Sequence, residues 1–577
     1  MDSVKSPAAV TAGVIVDELI RCGMREAVVC PGSRSAPLSR ALLAASNAGR
    51  IRLHVRIDER SAAFLALGLA AQTRRITPIV TTSGTAVANL TPAMVEATYS
   101  NIPLLALTAD RPSSYQGTGA NQTIDQAQLF AKASVAEFDL DGTAEVTQSS
   151  AAVIRARIDR LVATATASAG YNGAHNSGRV RDTRGGAVHL NVRFVEPLVP
   201  QVDEEPTIPE GRPYGAPWTD ISHLRQVVAG HESVAKLDLS RRTLVIAGSG
   251  AVAHPALYDV PTIAEPSTFA PEFPVHPLAA GAFAQILPEH IVVLGRPTLH
   301  RGVAKLLANP DIDVTVVASD TDYPDVTANA RRVVRGVETT GECAEQWLKV
   351  CEAASELGVK AVRETLQETT DELTGLHVAA AMTDSLRTGD LLVLGASNSV
   401  RDASWAGLPF PGVDVYAGRG AAGIDGTVAT AIGIALARDR ANSEEIRPPR
   451  TLALMGDLTF LHDAGALSIG PDEPRPANLT IVVANDTGGG IFETLEAGAP
   501  DLRSGFERIF GTAQDVDLGA LCEAYGAQYV LVRELPDLLQ QLHPDTDVDG
   551  IRVIEAVTAR GSRRDVHEKL YAKAELR

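Results

Sequence analysis

Short apolar runs recur along the chain, with segments of helical periodicity between them. EAVVC (26–30), IRLHVRI (51–57), TPIVTT (77–82) and PLLALTA (103–109) each match the length of a buried strand. Ala12–Cys22 and SAAFLALGLAAQ (61–72) instead place apolar residues at helical spacing. This strand–turn–helix order predicts a parallel sheet with functional residues in its strand-to-helix turns. A second block holds the strands RTLVIAG (242–248), HIVVLG (290–295) and VTVVAS (314–319), followed by a helical region over 340–373. A third begins near Glu372, with strands LLVLGAS (391–397), VDVYAG (413–418), TLALMG (451–456), LTIVVAN (479–485) and IRVIEAV (551–557). No short-period repeat is visible. The expected fold is α/β, with three successive doubly wound parallel-sheet domains over 1–197, 218–371 and 372–577. Residues 198–217 have the proline and acid content of a linker, and the polar, glycine-rich stretch 168–186 reads as a mobile surface loop.

Composition narrows the function more than the fold. At 577 residues the chain exceeds what one hydrophobic core organises, and 45% hydrophobic with 21% charged residues is ordinary for a globular protein. A formal charge of −18 argues against a nucleic-acid partner. The five cysteines are scattered without a CxxC pair, which predicts reduced thiols and no zinc site. The opening MDSVKSPAAVTAG lacks a secretory apolar region, and no run of about 18 apolar residues could span a bilayer. The expectation is a cytoplasmic enzyme.

Chemistry concentrates in residues 452–492. LALM and LTIVVA each end just before a carboxylate, Asp457 and Asp486, and Gly488-Gly489-Gly490 follows the second. Ligands of parallel sheets sit beyond the carboxyl ends of strands. Two acidic oxygens there, beside a glycine run, suit a hard divalent cation with a phosphate nearby. Strand-end turns are the plain alternative for either Asp alone. Far upstream, Glu59 in LHVRIDERSAAF sits where a strand turns into a helix. A carboxylate there is an N-terminal helix cap or a group that exchanges a proton with a ring nitrogen.

A glutamate in an N-terminal α/β domain paired with a GD…N motif in a C-terminal one resembles the thiamine-diphosphate-dependent enzymes. CPGSRSAPL (30–38), TTSGTAVANLTPAMVEA (81–97), TADRP (108–112), GANQTIDQ (119–126), GRPTLHR (295–301) and GRGAAGIDG (418–426) narrow the likeness. They look like the carboligases of menaquinone biosynthesis, over about residues 10–560. The resemblance implies a transferase that decarboxylates 2-oxoglutarate and adds the succinyl carbanion equivalent to isochorismate. It implies thiamine diphosphate and Mg²⁺ (or Mn²⁺) as cofactors. The first domain would bind the pyrimidine and the last the diphosphate. A homodimer or homotetramer would share each active site between subunits, without nucleic acid or a membrane span.

Residue by residue, the resemblance gives Glu59 the activation of the aminopyrimidine. It gives the metal to Asp457, Asp486 and the Gly488 carbonyl, and cofactor contacts to Ser83, Gly84, Gly456 and Leu458. Ile424 would hold the cofactor bent. Ser33, Arg34, Arg111, Asn121, Gln122, His300, Arg301, Ser397, Arg401 and Arg419 would meet the substrates. Both substrates are dicarboxylates, and arginine's planar fork suits carboxylates. Two positions depart from the family pattern. Leu458 stands where the common GDG has its second glycine, and Asp486 where asparagine is usual, so Asp486 or its neighbour Asn485 completes the metal set. Asp486 is the expected ligand.

In the central block LVIAGSGAVA (244–253) fits GxGxxA after a strand, a dinucleotide pattern. Glu265 lies nearer to those glycines than a ribose-binding acid should. A vestigial nucleotide fold is expected, with Arg296 a possible anchor for a regulatory ligand. Two alternatives to the synthase remain open at this point. One is another thiamine-diphosphate decarboxylase or carboligase; the other is a non-catalytic regulatory relative.

Overall fold

The computed structural model describes residues 6–167, 185–200, 206–220, 234–318, 323–369, 371–444, 449–546 and 548–574. The stretch read as a mobile loop, 168–186, lies outside them except for its last two residues. The N-terminal sheet contains β1 (Glu26–Val29), β2 (Arg52–Val55), β3 (Thr77–Thr81), β4 (Leu104–Asp110), β5 (Ala136–Asp141) and β6 (Val188–Arg193), all parallel, in the order β2-β1-β3-β4-β6-β5. The central domain has β7 (Val234–Asp238), β8 (Thr243–Ala247), β9 (Thr262–Ala264), β10 (His290–Leu294), β11 (Asp313–Val317), β12 (Ala330–Val334) and β13 (Gly336–Thr340). Five of these form a parallel sheet, β12-β11-β10-β8-β9, and β13 pairs separately with β7. The C-terminal sheet contains β14 (Leu391–Leu394), β15 (Asp414–Ala417), β16 (Thr451–Gly456), β17 (Asn478–Asn485), β18 (Gln528–Val532) and β19 (Gly550–Val557). Its order, β15-β14-β16-β17-β19-β18, repeats the N-terminal order strand for strand.

The two outer sheets share a core. The helices Glu59–Thr73 and Thr427–Ala441 are apolar on nearly every face and are buried from Ser61 to Ala71 and from Val428 to Arg438. They cross at small residues. A methyl group on Gly68 would overlap the Thr430 carbonyl oxygen, and one on Gly433 the Leu65 carbonyl oxygen. Apolar residues of β1, β3, β14, β16 and β17 close the same cluster from both sides.

The segment read as a linker is docked along its described part. Arg155, fully buried between Asp17 (2.8 Å) and Glu18 (2.6 Å), also donates to the Pro209 carbonyl (3.0 Å). Trp218 N–H reaches Glu18 (2.7 Å) and Thr219 N–H reaches Asp159 (2.6 Å). All five cysteines are free thiols. Among the described residues no helix is long and apolar enough to cross a membrane.

Candidate functional site

At the carboxyl ends of the C-terminal sheet, β16 passes directly into the helix Asp457–His462. The Asp457 carboxylate is 4% exposed and receives the backbone N–H groups of Leu458 and Gly488. Asp486 follows β17 immediately. Burial raises the Asp457 pKa to about 6, against those backbone N–H bonds. Burial, and then the charge of Asp457, raise Asp486 to about 7. A buried and a half-buried carboxylate on adjacent strand ends fit a divalent cation, and both are hard oxygen donors. Asn485 is otherwise engaged: its amide donates to Glu555 (2.7 Å) and its oxygen accepts from Thr487 N–H (2.9 Å). The turn continues through Thr487 (φ 56°) and Gly488 (φ 133°), where any side chain would overlap the Gly511 carbonyl. The Gly488 carbonyl accepts from Gly490 N–H at 3.0 Å and keeps a second lone pair.

A cationic wall stands on the neighbouring strand ends. Ser397, after β14, adopts φ 78° and ψ −129°, a conformation costly for a residue with a side chain. Its carbonyl accepts from the half-buried Arg401 on the next helical turn. Arg419, after β15, is 8% exposed and donates to Thr298 Oγ1 at 2.9 Å, while its Nε has no partner among the described residues. Burial, Arg419 and Arg301 all press the Arg401 pKa downward. Such crowding of guanidiniums is relieved by anions. His300 comes from the central domain and meets Ser404 Oγ at 2.8 Å. Burial, then Arg401, lower its pKa to about 3, so the ring is neutral. Arg301 is exposed at the start of the next helix.

The N-terminal residues form a separate group. Asp58, not Glu59, caps the helix Glu59–Thr73, accepting from Arg60 N–H (2.9 Å) and Ser61 N–H (3.2 Å). Glu59 is half-buried and makes no hydrogen bond to any described residue, so capping does not account for it. Ser83 Oγ donates to the Gln122 carbonyl (2.8 Å) and the Gln122 amide returns to the Ser83 carbonyl (2.9 Å), while Gly84 N–H reaches Gln126 (3.0 Å). That exchange holds the loop carrying exposed Asn121 and Gln122 over the end of β3. Arg34 is buried and spans the Phe194 carbonyl (3.3 Å) and Glu196 (3.3 Å), beside exposed Ser33. Arg111 lies over the Tyr115 ring, 5.7 Å from its centre. Among the described residues no hydrogen bond or ion pair joins this group to the C-terminal one. The two domains meet elsewhere, through Glu96 with Gly420 N–H (2.9 Å) and Ala421 N–H (2.7 Å) and through Ser61 with Asp463 (2.9 Å).

Ile424 is half-buried on the connection from β15 to the helix Thr427–Ala441, outside the described core clusters. Gly456 and Leu458 flank Asp457 and are half-buried. Motif reading missed Thr298, which contacts Arg419, and the Asp402–Arg563 pair (2.8 and 2.7 Å), which ties the C-terminal helix to Arg401's helix. It also missed Trp405, against whose ring His567 and Tyr571 pack edge to face. Only Asp402, next to Arg401, offered a sequence signal. The dinucleotide pattern takes a different form from a nucleotide site: after Gly248-Ser249-Gly250 comes only the single turn Pro255–Leu257, with no helix to receive a phosphate.

Residues 10–129 match the family described as thiamine pyrophosphate enzyme, N-terminal TPP binding domain. A protein of Corynebacterium jeikeium named 2-succinyl-5-enolpyruvyl-6-hydroxy-3-cyclohexene-1-carboxylate synthase is 47% identical, over 96% of this chain and 98% of its own. A protein of the same name from Rhodococcus opacus is also 47% identical, over 98% of this chain and 100% of its own. One from Rhodococcus jostii is 46% identical over the same shares. A parallel α/β chain with this full-length likeness belongs to the 2-succinyl-5-enolpyruvyl-6-hydroxy-3-cyclohexene-1-carboxylate synthase family of thiamine-diphosphate-dependent enzymes.

Proposed function

We propose that the chain binds thiamine diphosphate with Mg²⁺ or Mn²⁺, decarboxylates 2-oxoglutarate, and adds the succinyl unit to the ring of isochorismate by 1,4-addition, in menaquinone biosynthesis. The observation that carries this reading is the arrangement on one sheet edge. Asp457 and Asp486 form an anionic pair there, and the Arg401–Arg419 wall stands on the strand ends beside it. A monocarboxylate reaction would leave that concentration of guanidiniums without a task, whereas both proposed substrates carry two carboxylates.

Thiamine diphosphate, when bound, would supply the electron sink that decarboxylation of a 2-oxo acid requires. Asp457, Asp486 and the Gly488 carbonyl hold the cation, Gly456 and Leu458 flank it, and Ile424 supports the cofactor from its half-buried connection. Glu59 exchanges a proton with the pyrimidine nitrogen, and Ser83 and Gly84 line that side. Arg301, Arg401 and Arg419 bind and orient substrate carboxylates, Ser397 fixes Arg401, and neutral His300 braces the wall through Ser404. Ser33, Arg34, Arg111, Asn121 and Gln122 close the site from the N-terminal sheet. That no hydrogen bond or ion pair among the described residues joins Glu59 to Asp457 or Asp486 supports a site completed by a second copy, in a homodimer or homotetramer.

A coupled assay with 2-oxoglutarate and isochorismate, with and without thiamine diphosphate and Mg²⁺, tests the reading. Turnover should require all four. Carbon dioxide release at full rate without isochorismate would assign a simple decarboxylase instead. Glu59→Gln should lower kcat at least about a thousandfold while leaving the cofactor Kd within a few-fold, and undiminished turnover would remove Glu59 from the mechanism.

A further inference from the structure

Glu265 follows β9 and is 6% exposed, yet it makes no salt bridge among the described residues. Its carboxylate is spent on backbone. One oxygen accepts the N–H groups of Thr298 (2.6 Å) and Leu299 (2.8 Å), and the other accepts Ser249 N–H (3.3 Å). The turns that follow β8 and β10 are thereby drawn together. Ser249 and Arg296 also exchange backbone hydrogen bonds at 3.0 and 2.9 Å, and a methyl group on Gly248 would overlap Pro297. The place where a nucleotide-binding acid would meet a ribose is therefore filled by the protein's own backbone.

The turn that Glu265 holds feeds the cationic wall at four points. Thr298 Oγ1 accepts the Arg419 guanidinium at 2.9 Å. Arg296 donates to the Arg419 carbonyl at 2.7 Å and to the Tyr99 carbonyl at 3.2 Å. Leu299 is buried in the C-terminal core with Leu394, Val400 and Ala403. His300 and Arg301 come next in the chain. Arg419 is thus gripped at its backbone and its side chain by one short turn, and that turn is fixed by one carboxylate.

We propose that Glu265 is a positioning residue for substrate-carboxylate binding: by fixing the turn 296–301 it sets, through Thr298, the direction of the Arg419 guanidinium. The proposal rests on the function given above for that wall. The central domain then acts as a gauge for the arginines of its neighbour, and Arg296 serves as an inter-domain staple.

The test uses the holoenzyme and the two-substrate assay. Arg419→Lys first identifies the substrate whose KM depends on the guanidinium. Glu265→Gln keeps size and one acceptor oxygen but turns an amide N–H toward Ser249 N–H. It should raise the KM of that same substrate about tenfold, with kcat within about twofold and the thiamine-diphosphate Kd unchanged. Thr298→Val, which keeps Thr298's shape but not its hydroxyl, should raise the same KM, Thr298→Ser should raise it less, and the Glu265→Gln/Thr298→Val double variant should fall short of the product of the single effects. A loss of kcat at unchanged KM, an effect on the other substrate only, or multiplicative single effects would each overturn the proposal. Should Glu265→Gln fail to fold, the two Thr298 variants decide on the same KM readout. Wild-type protein inactive on these substrates would instead refute the function, which separates the two failures.

Discussion

Asp457 and Asp486 stand on adjacent strand ends and compete for ionisation, with pKa values raised to about 6 and about 7. A cation displaces whatever protons they hold, so cofactor–Mg²⁺ affinity should increase from pH 5.5 to about 7.5 and level off above. Titration calorimetry across that range checks it; affinity independent of pH would show that the pair is not the cation's ligand set. Stability has the opposite sign. Carboxyls whose folded pKa exceeds the unfolded value favour folding most below about pH 4. They withdraw that contribution as pH rises through about 6 to 7. The metal-free protein should therefore lose melting temperature relative to the Mg²⁺-loaded protein over that interval. Asp486→Asn should weaken Mg²⁺ binding at least about tenfold at pH 7.5, while Asn485→Ala should have a smaller effect, because Asn485 already serves Glu555 and Thr487. The reverse ranking would make Asn485 the ligand. These acids were legible in the sequence because two apolar runs each end just before one of them and a glycine run follows the second, a pairing that turn formation does not require. Thr298 and Arg563 were not, because their importance comes from partners more than a hundred residues away.

Elements follow the same division. Interior strands such as TLALMG announce themselves as unbroken apolar runs, and β16 occupies Thr451–Gly456 as expected. β6 did not, because VHLNVR places His189 and Asn191 inside the sheet, where they bond Thr108 at 2.8 and 2.9 Å. β5 and β18 lie at sheet edges and are half exposed, so their sequences lack a buried run. The segment 198–217 reads as a linker from its prolines, yet buried Arg155 binds the Pro209 carbonyl within it, and buried Glu18 and Asp159 hold the backbone of Trp218 and Thr219 just after it. Arg155→Leu should cost about 3–5 kcal/mol, because it strands buried Glu18, whose ion pair among the described residues is Arg155, while Asp17 keeps Arg21 and Arg50. Denaturant unfolding measures that loss, and a cost under about 1 kcal/mol would mean the strap adds little.

For the molecule as a whole, the parallel α/β class could be read from the spacing of apolar runs. The matching strand order of the outer sheets could not, because strand order is set by crossover connections rather than by residue identity. That match has a consequence for binding stoichiometry. Where the C-terminal sheet ends β16 and β17 with Asp457 and Asp486, the N-terminal sheet follows β3 with Ser83-Gly84 and ends β4 with Asp110, a buried acid that accepts from Arg111 N–H, Gln116 and Asn191. Each chain therefore carries two versions of one cradle, only one of which pairs acids on two adjacent strand ends. Titration of the assembled enzyme should saturate at one equivalent of Mg²⁺ and of thiamine diphosphate per chain, leaving the N-terminal cradle to serve the organic half of the reaction.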